Sequence, residues 1–180
     1  MIPILAKILR TGVVSEPPPH VREEWRARAA TIQDDILRIL GRALVIRQVD
    51  AGSCNGCELE INALANPYYN IEGLGIKLAA SPRHADLLLV TGPVTRNMEQ
   101  ALRIAYDAMP APKLVVAVGD CGCDGGIFGE GYATCGAVSK VIPVDVTVPG
   151  CPPPPTAILQ GILTAVAGTK QREKGSSPRG

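Results

Sequence analysis

Two short, uninterrupted apolar runs constrain the fold of this chain more than any other feature. Residues 87–90 and 114–118 contain only Leu, Val and Ala. Strands that are apolar on both faces are typical of a parallel sheet covered by helices on either side. Between the two runs, residues 94–109 have the spacing of a helix, with Met98 and Leu102 on one face. The segment therefore predicts a right-handed strand–helix–strand unit.

The remaining elements extend this pattern along the chain. Further strands are predicted at residues 43–49, 76–79 and 144–148, and further helices at residues 21–40, 58–64 and 154–166. Alternating strands and helices indicate an α/β fold. We expect an open, mostly parallel, flavodoxin-like sheet between helices.

The chain of 180 residues suffices for one domain of ordinary size. We assign residues 21–168 to a single α/β domain and residues 169–180 to a flexible basic tail. Residues 1–20 form an N-terminal appendage that ends in a proline-rich spacer. The first ten residues could form an amphipathic helix on a membrane surface or a partner, or could simply fray.

Charge and composition exclude several classes of function. Eighteen basic and 17 acidic residues leave a net charge of +1, and aromatic residues make up only 3%. Nucleic-acid binding is disfavoured, because it needs a positive surface and often a stacking platform. We expect no transmembrane helix, since every apolar run is far shorter than the roughly 18 residues that a span needs. Lys7 and Arg10 interrupt the first apolar stretch, so we also expect no secretory signal. We therefore expect the protein to lie in a reducing compartment.

The six cysteines are the main candidates for functional residues. Cys54 and Cys57 follow the first predicted strand, Cys121 and Cys123 follow the strand at 114–118, and Cys151 follows the last strand. In an open α/β sheet, the loops beyond the carboxyl ends of the strands meet at one edge. We therefore expect thiols from three loops to converge there.

A four-thiolate site holds either zinc or an iron–sulfur cluster. This sequence has one Cys-x-x-Cys pair, and its other thiols come singly from distant segments of a domain with its own core. That pattern favours an iron–sulfur cubane over structural zinc. Six thiols exceed four ligands, and we interpret Cys123 and Cys135 as small buried apolar residues.

Four motifs in order resemble the small, cluster-binding subunit that NiFe hydrogenases share with respiratory complex I. The likeness spans residues 44–166 and lies in the segments 54–60, 81–94, 119–126 and 143–153. The resemblance implies that Cys121 is the third ligand, and that Cys54, Cys57 and Cys151 complete one 4Fe-4S cluster. In complex I the first two ligands are adjacent cysteines, whereas here two residues separate them. This spacing favours the hydrogenase side. The Arg-His-Ala-Asp segment at 83–86 and the spacing from Cys57 to Glu60 most resemble the membrane-bound, complex-I-like hydrogenases such as formate hydrogenlyase.

The resemblance implies an electron-transfer subunit of an oxidoreductase complex that is not catalytic alone. Electrons would pass between the NiFe site of a large partner subunit and ferredoxin-like 4Fe-4S subunits, with membrane-integral subunits nearby. The complex would lie on the cytoplasmic side of the cell membrane, with this chain bound peripherally. The alternative is a complex-I-like NADH/quinone oxidoreductase B-type subunit whose cluster reduces bound quinone. A third hypothesis is a zinc-stabilised interaction protein without redox activity.

Charged residues near the motifs supply further candidates. Glu60 follows Cys57 by three residues, and a carboxylate near an anionic cluster is a candidate for proton exchange, or else an ordinary helix-start acid. Arg83 could offset cluster charge and His84 could titrate nearby, or both could be plain loop residues. No Gly-x-Gly-x-x-Gly run opens a helix after the first strand, so nucleotide binding is disfavoured.

Overall fold

The computed structural model describes residues 2–11, 31, 34, 36–38 and 40–175. The proline-rich spacer and most of the predicted helix at 21–40 lie outside these residues. The described positions between 31 and 40 are helical, and Ile36 is buried in the core. Residues 2–11 also form a helix, which was one of our two expectations for the N-terminal segment.

The described residues contain seven strands: β1 (Leu44–Asp50), β2 (Ile76–Leu78), β3 (Leu87–Thr91), β4 (Val94–Thr95), β5 (Leu114–Val118), β6 (Thr134–Gly136) and β7 (Val146–Val148). Five of them form one parallel sheet in the order β2-β1-β3-β5-β7. Counted within that sheet, the order is 2-1-3-4-5, which is the flavodoxin-like arrangement. The predicted fold class is confirmed. The short strands β4 and β6 pair antiparallel beside the sheet.

The α-helices that the structure describes over their full length are α1 (Ile2–Thr11), α2 (Gly56–Ala63), α3 (Arg96–Asp107), α4 (Gly119–Asp124) and α5 (Pro155–Gly175). Helix α3 is the predicted crossover between β3 and β5, although it begins two residues late because β4 precedes it. Helix α5 continues beyond Val166, where we predicted its end. It therefore occupies residues 169–175 of the segment that we expected to be a flexible tail.

The core lies on both faces of the sheet, as the apolar runs required. Along β3, Leu87 and Leu89 join a cluster with residues of α2 and α5, whereas Leu88 and Val90 join a cluster that includes Leu102 of α3. Each such side chain contributes about 1.5–3 kcal/mol by leaving water. This two-sided burial fixes the central strands, and with them the starting points of the loops that carry the cysteines.

Candidate metal centre

The cysteine-bearing loops leave the same edge of the parallel sheet. Cys54 lies in the loop after β1, and Cys57 lies in the first turn of α2. Cys121 lies in α4, directly after β5, and Cys151 lies between β7 and α5. Because β1, β5 and β7 are parallel, their carboxyl ends deliver these loops to one place.

A cavity of about 430 Å³ opens where the loops meet. Its walls include Cys54, Cys121 and Cys151, together with Ile127 and Phe128 from the loop after α4. Cys54 and Cys151 are exposed, whereas Cys57 and Cys121 are partly buried. The cavity is thus lined by three thiols, by the acids Asp120 and Asp124, by Gly126 and by two apolar side chains.

The other three thiols lie close enough to Cys57 to affect its pKa. Burial raises the pKa of Cys57 to about 12, and the neighbouring Glu58 adds to the shift. Negative charge on Cys54, Cys121 and Cys151 acts in the same direction. The four thiols that the resemblance singled out are therefore close enough to repel one another when ionised.

Glycines leave the space in which these thiols sit. A Cβ atom on Gly119 would lie 2.6 Å from the Sγ of Cys57, and one on Gly126 would lie 2.9 Å from the Sγ of Cys121. Both glycines also have positive φ angles, of 82° and 54°, which favour glycine. Any larger residue at either position would push against a thiol.

The donor set suits a cluster in which each cysteine binds a different iron atom. In the part of the chain that the structure describes, no group of three or more His, Cys, Asp or Glu side chains is arranged to hold a single metal ion. Three thiols line the open cavity and that of Cys57 lies near them, which together supply the ligand number and type that a 4Fe-4S cubane requires.

Comparison with known proteins identifies the family. Residues 54–165 match the family described as the NADH ubiquinone oxidoreductase 20 kDa subunit. The chain belongs to this family. The match begins at the first cysteine of the pocket and ends within α5, so it covers the whole candidate site.

Relatives within and around the 20 kDa subunit family include hydrogenase subunits. The chain is 45% identical to the probable membrane-bound hydrogenase subunit mbhJ of Pyrococcus furiosus, over 79% of this chain and 86% of that protein. It is 42% identical to formate hydrogenlyase subunit 7 of Escherichia coli, over 83% of this chain but only 58% of that protein. A solved structure of a membrane-bound sulfane sulfur reductase, an archaeal respiratory membrane complex, contains a chain that is 35% identical. It aligns with a TM-score of 0.62 over 76% of this chain and 74% of that chain.

The other two cysteines of the chain, Cys123 and Cys135, contact different groups. The thiol of Cys123 faces the carbonyl oxygen of Ala117 at 3.8 Å, and burial raises its pKa to about 11. Cys135 is 6% exposed, lies in the core cluster under α3 and donates a hydrogen bond to Glu99 at 3.2 Å. Neither is among the residues that line the cavity.

Sequence reasoning missed the buried acid of the site. We singled out Glu60, which is half-buried on α2 and whose carboxylate makes no hydrogen bond within the described residues. Glu58 is instead only 6% exposed and accepts hydrogen bonds from the hydroxyls of Ser53 and Thr91. The available signal was Thr91, a polar residue that closes an otherwise apolar strand.

The expectation that Arg83 and His84 act near the cluster is wrong. Both are exposed on a short helical turn that precedes β3, and therefore lie at the opposite edge of the sheet from the cysteines. The next acid, Asp86, is buried and accepts hydrogen bonds from Arg42 and from the amide of Val45 at 3.0 Å. This segment joins the amino ends of β1 and β3 and has a structural role.

Proposed function

We propose that this chain is the iron–sulfur electron-transfer subunit of a membrane-associated NiFe hydrogenase complex. One 4Fe-4S cluster would be held by Cys54, Cys57, Cys121 and Cys151. The observation that carries the proposal is that Cys54, Cys121 and Cys151 line one open cavity, with Cys57 close enough to feel their charge, in a chain of the 20 kDa subunit family. The likeness to the membrane-bound hydrogenase subunit and to formate hydrogenlyase subunit 7 supports the hydrogenase assignment.

The residues of the pocket have separable tasks in this function. When bound, a 4Fe-4S cluster supplies one-electron transfer at a potential that the protein adjusts through charge, hydrogen bonds and exclusion of water. The four cysteines would hold it, and Gly119 and Gly126 keep the space beside two of them open. Cys57 and Cys121 are partly buried, whereas Cys54 and Cys151 are exposed to solvent.

An apolar surface beside the cavity is suited to a partner. Ile127 is 94% exposed and Phe128 is also exposed, and both line the cavity. Tyr132 in the same loop is fully exposed. Exposed apolar groups of this kind mark protein contacts. We propose that a NiFe large subunit covers this loop, which would bring its catalytic centre next to the cluster and shield the exposed cysteines from water.

The other proposed partners are ferredoxin-like 4Fe-4S subunits and membrane-integral subunits. In the described part of the chain, no helix has both the length and the hydropathy needed to cross a bilayer. We propose that the chain binds peripherally, on the cytoplasmic side of the cell membrane, through those partners. The names of its relatives, which describe membrane-bound complexes, support the membrane association.

The test is anaerobic co-purification of this chain with the large subunit that it binds in its native cells. We expect a brown complex with about four iron atoms and four acid-labile sulfides on this chain, nickel on the large subunit, and cluster reduction by hydrogen. A large subunit without two Cys-x-x-Cys pairs, together with cluster oxidation by a quinone, would support the quinone-reducing alternative. A colourless chain that contains zinc would reject both.

A further inference from the structure

A buried carboxylate links the first two cysteines of the pocket to the centre of the sheet. Glu58 follows Cys57 directly, and its side chain accepts one hydrogen bond from the hydroxyl of Thr91 and another from that of Ser53. Thr91 is fully buried at the end of β3. Ser53 directly precedes Cys54. The hydrogen bond between Ser53 and Glu58 therefore joins the two ends of the segment that contains both cysteines.

The end of β3 is a rigid anchor. This strand lies between β1 and β5 in the parallel sheet, and all five of its residues are buried. The Thr91 hydroxyl also lies 3.4 Å from the carbonyl oxygen of Val49 on β1. A group bonded to Thr91 is therefore fixed relative to two neighbouring strands.

The other end of the link reaches the turn between the two cysteines. The Ser53 hydroxyl accepts a hydrogen bond from the amide of Asn55 at 3.0 Å. Asn55 has a φ of 72°, in the left-handed region that costs energy for a residue with a side chain. The path Thr91–Glu58–Ser53–Asn55 thus supports a strained turn that determines the separation of Cys54 and Cys57.

Burial of this acid is costly, which argues for a specific role. A carboxylate removed from water is destabilising unless hydrogen bonds compensate for its lost hydration. Both of its oxygens are paired here. Burying an apolar side chain at this position would cost less free energy. We therefore attribute the presence of the carboxylate to the fixed geometry that it gives the loop.

We propose that Glu58 is a positioning residue that fixes Cys54 and Cys57 for cluster binding by linking their loop to Thr91. This inference rests on the proposed function, since it concerns the same cluster. Glu60 on the same helix is the matched comparison, because its carboxylate lacks such partners within the described residues.

The experiment compares E58A, T91V, T91S and E60Q in the complex with its large subunit. Iron content, the electron paramagnetic resonance spectrum of the reduced cluster and the rate of iron loss to a chelator are measured for each. Circular dichroism measures how much of each preparation is folded, and iron is expressed per folded chain. T91V removes one hydroxyl donor with little change in shape, whereas T91S retains that donor.

We expect E58A and T91V to lose iron to the chelator about ten-fold faster than the unmodified protein, in line with the effect of residues that orient metal ligands. Both should shift the g values of the cluster, whereas T91S and E60Q should keep the g values and the iron retention of the unmodified protein. Because Glu58 and Thr91 act through one contact, the E58A/T91V double variant should be no worse than the worse single variant.

Unchanged iron retention and g values in E58A and T91V would overturn the positioning role. Slower folding or lower stability with normal spectra would overturn it as well, because that result indicates a purely structural contact. If E58A fails to fold, the T91V and T91S pair decides. An unmodified complex that binds no iron would instead refute the proposed function itself.

Discussion

Asp120 and Gly150 exchange two hydrogen bonds across the candidate metal centre. The amide of Gly150 donates to the carboxylate of Asp120 at 2.7 Å, and the amide of Asp120 donates to the carbonyl oxygen of Gly150 at 2.9 Å. Each residue directly precedes a cysteine, Cys121 in one case and Cys151 in the other. The pair therefore fixes the distance between the loops after β5 and β7.

We expect D120A to weaken this link and to destabilise the fold by about 1–3 kcal/mol, because the Gly150 amide loses a charged acceptor. Cluster iron should also be lost faster to a chelator. D120N, which retains an oxygen acceptor, should lie between D120A and the unmodified protein. Urea unfolding and iron retention measure the two effects. Equal iron retention in all three proteins would show that the link is not needed to hold the cluster.

Replacement of individual cysteines tests the ligand set directly. We expect C54A, C57A, C121A and C151A each to abolish assembly of a normal 4Fe-4S cluster, because each removes one thiolate ligand. C123A and C135A should retain it, since those thiols contact the carbonyl oxygen of Ala117 and the carboxylate of Glu99 instead. Iron and sulfide analysis with electron paramagnetic resonance provides the measurement. Loss of the cluster in C135A would refute this choice of ligands.

The space beside the thiols can be tested with glycine substitutions. G126A adds a Cβ atom 2.9 Å from the Sγ of Cys121, at a φ of 54° that disfavours alanine. We expect impaired cluster incorporation, visible as less iron per chain. G131A is the matched control, because its Cβ would meet no atom within 4 Å. A normal iron content in G126A would mean that the loop can move to accept the methyl group.

The sequence predicted the sheet well because buried strands leave a simple signal. The run at Leu114–Val118 is apolar on both faces, and its predicted bounds agree with the observed strand. The end of α5 was predicted too early because the polar residues beyond Val166 have no apolar periodicity. That helix continues to Gly175 through local backbone hydrogen bonding, which such a pattern does not reveal.

The candidate site was only partly predictable, for a physical reason. The positions of Cys54, Cys57, Cys121 and Cys151 after parallel strands indicated that their loops meet, and the structure brings them together. Their role as ligands stays a prediction. The contact of Glu58 with Thr91 joins residues 33 positions apart, and only the strand order reveals it. No local spacing rule distinguishes Glu58 from Glu60.

Substitutions at the opposite edge of the sheet should change the stability of the protein and leave the cluster unaffected. D86A removes the acceptor of Arg42 and of the Val45 amide, and we expect it to destabilise the protein by about 1–3 kcal/mol. R42A should cost less, because its side chain is 58% exposed. Urea unfolding measures both. The cluster spectrum should be unchanged in the folded protein, and a shifted spectrum in D86A would contradict a role confined to structure.

Glu60 remains the candidate for proton exchange, and a charge-neutral variant tests it. E60Q keeps the size of the side chain but cannot carry an exchangeable carboxyl proton, so we expect the cluster to stay intact while turnover of the complex falls at least about ten-fold. E72Q is the control, because Glu72 is exposed before β2, at the far edge of the sheet. Hydrogen turnover and cluster iron are measured for the two variants and the unmodified complex. If Glu60 exchanges protons, E60Q turns over more slowly with its iron intact and E72Q does not. Equal turnover by E60Q and the unmodified complex would remove Glu60 from the mechanism and leave it as an ordinary residue of α2.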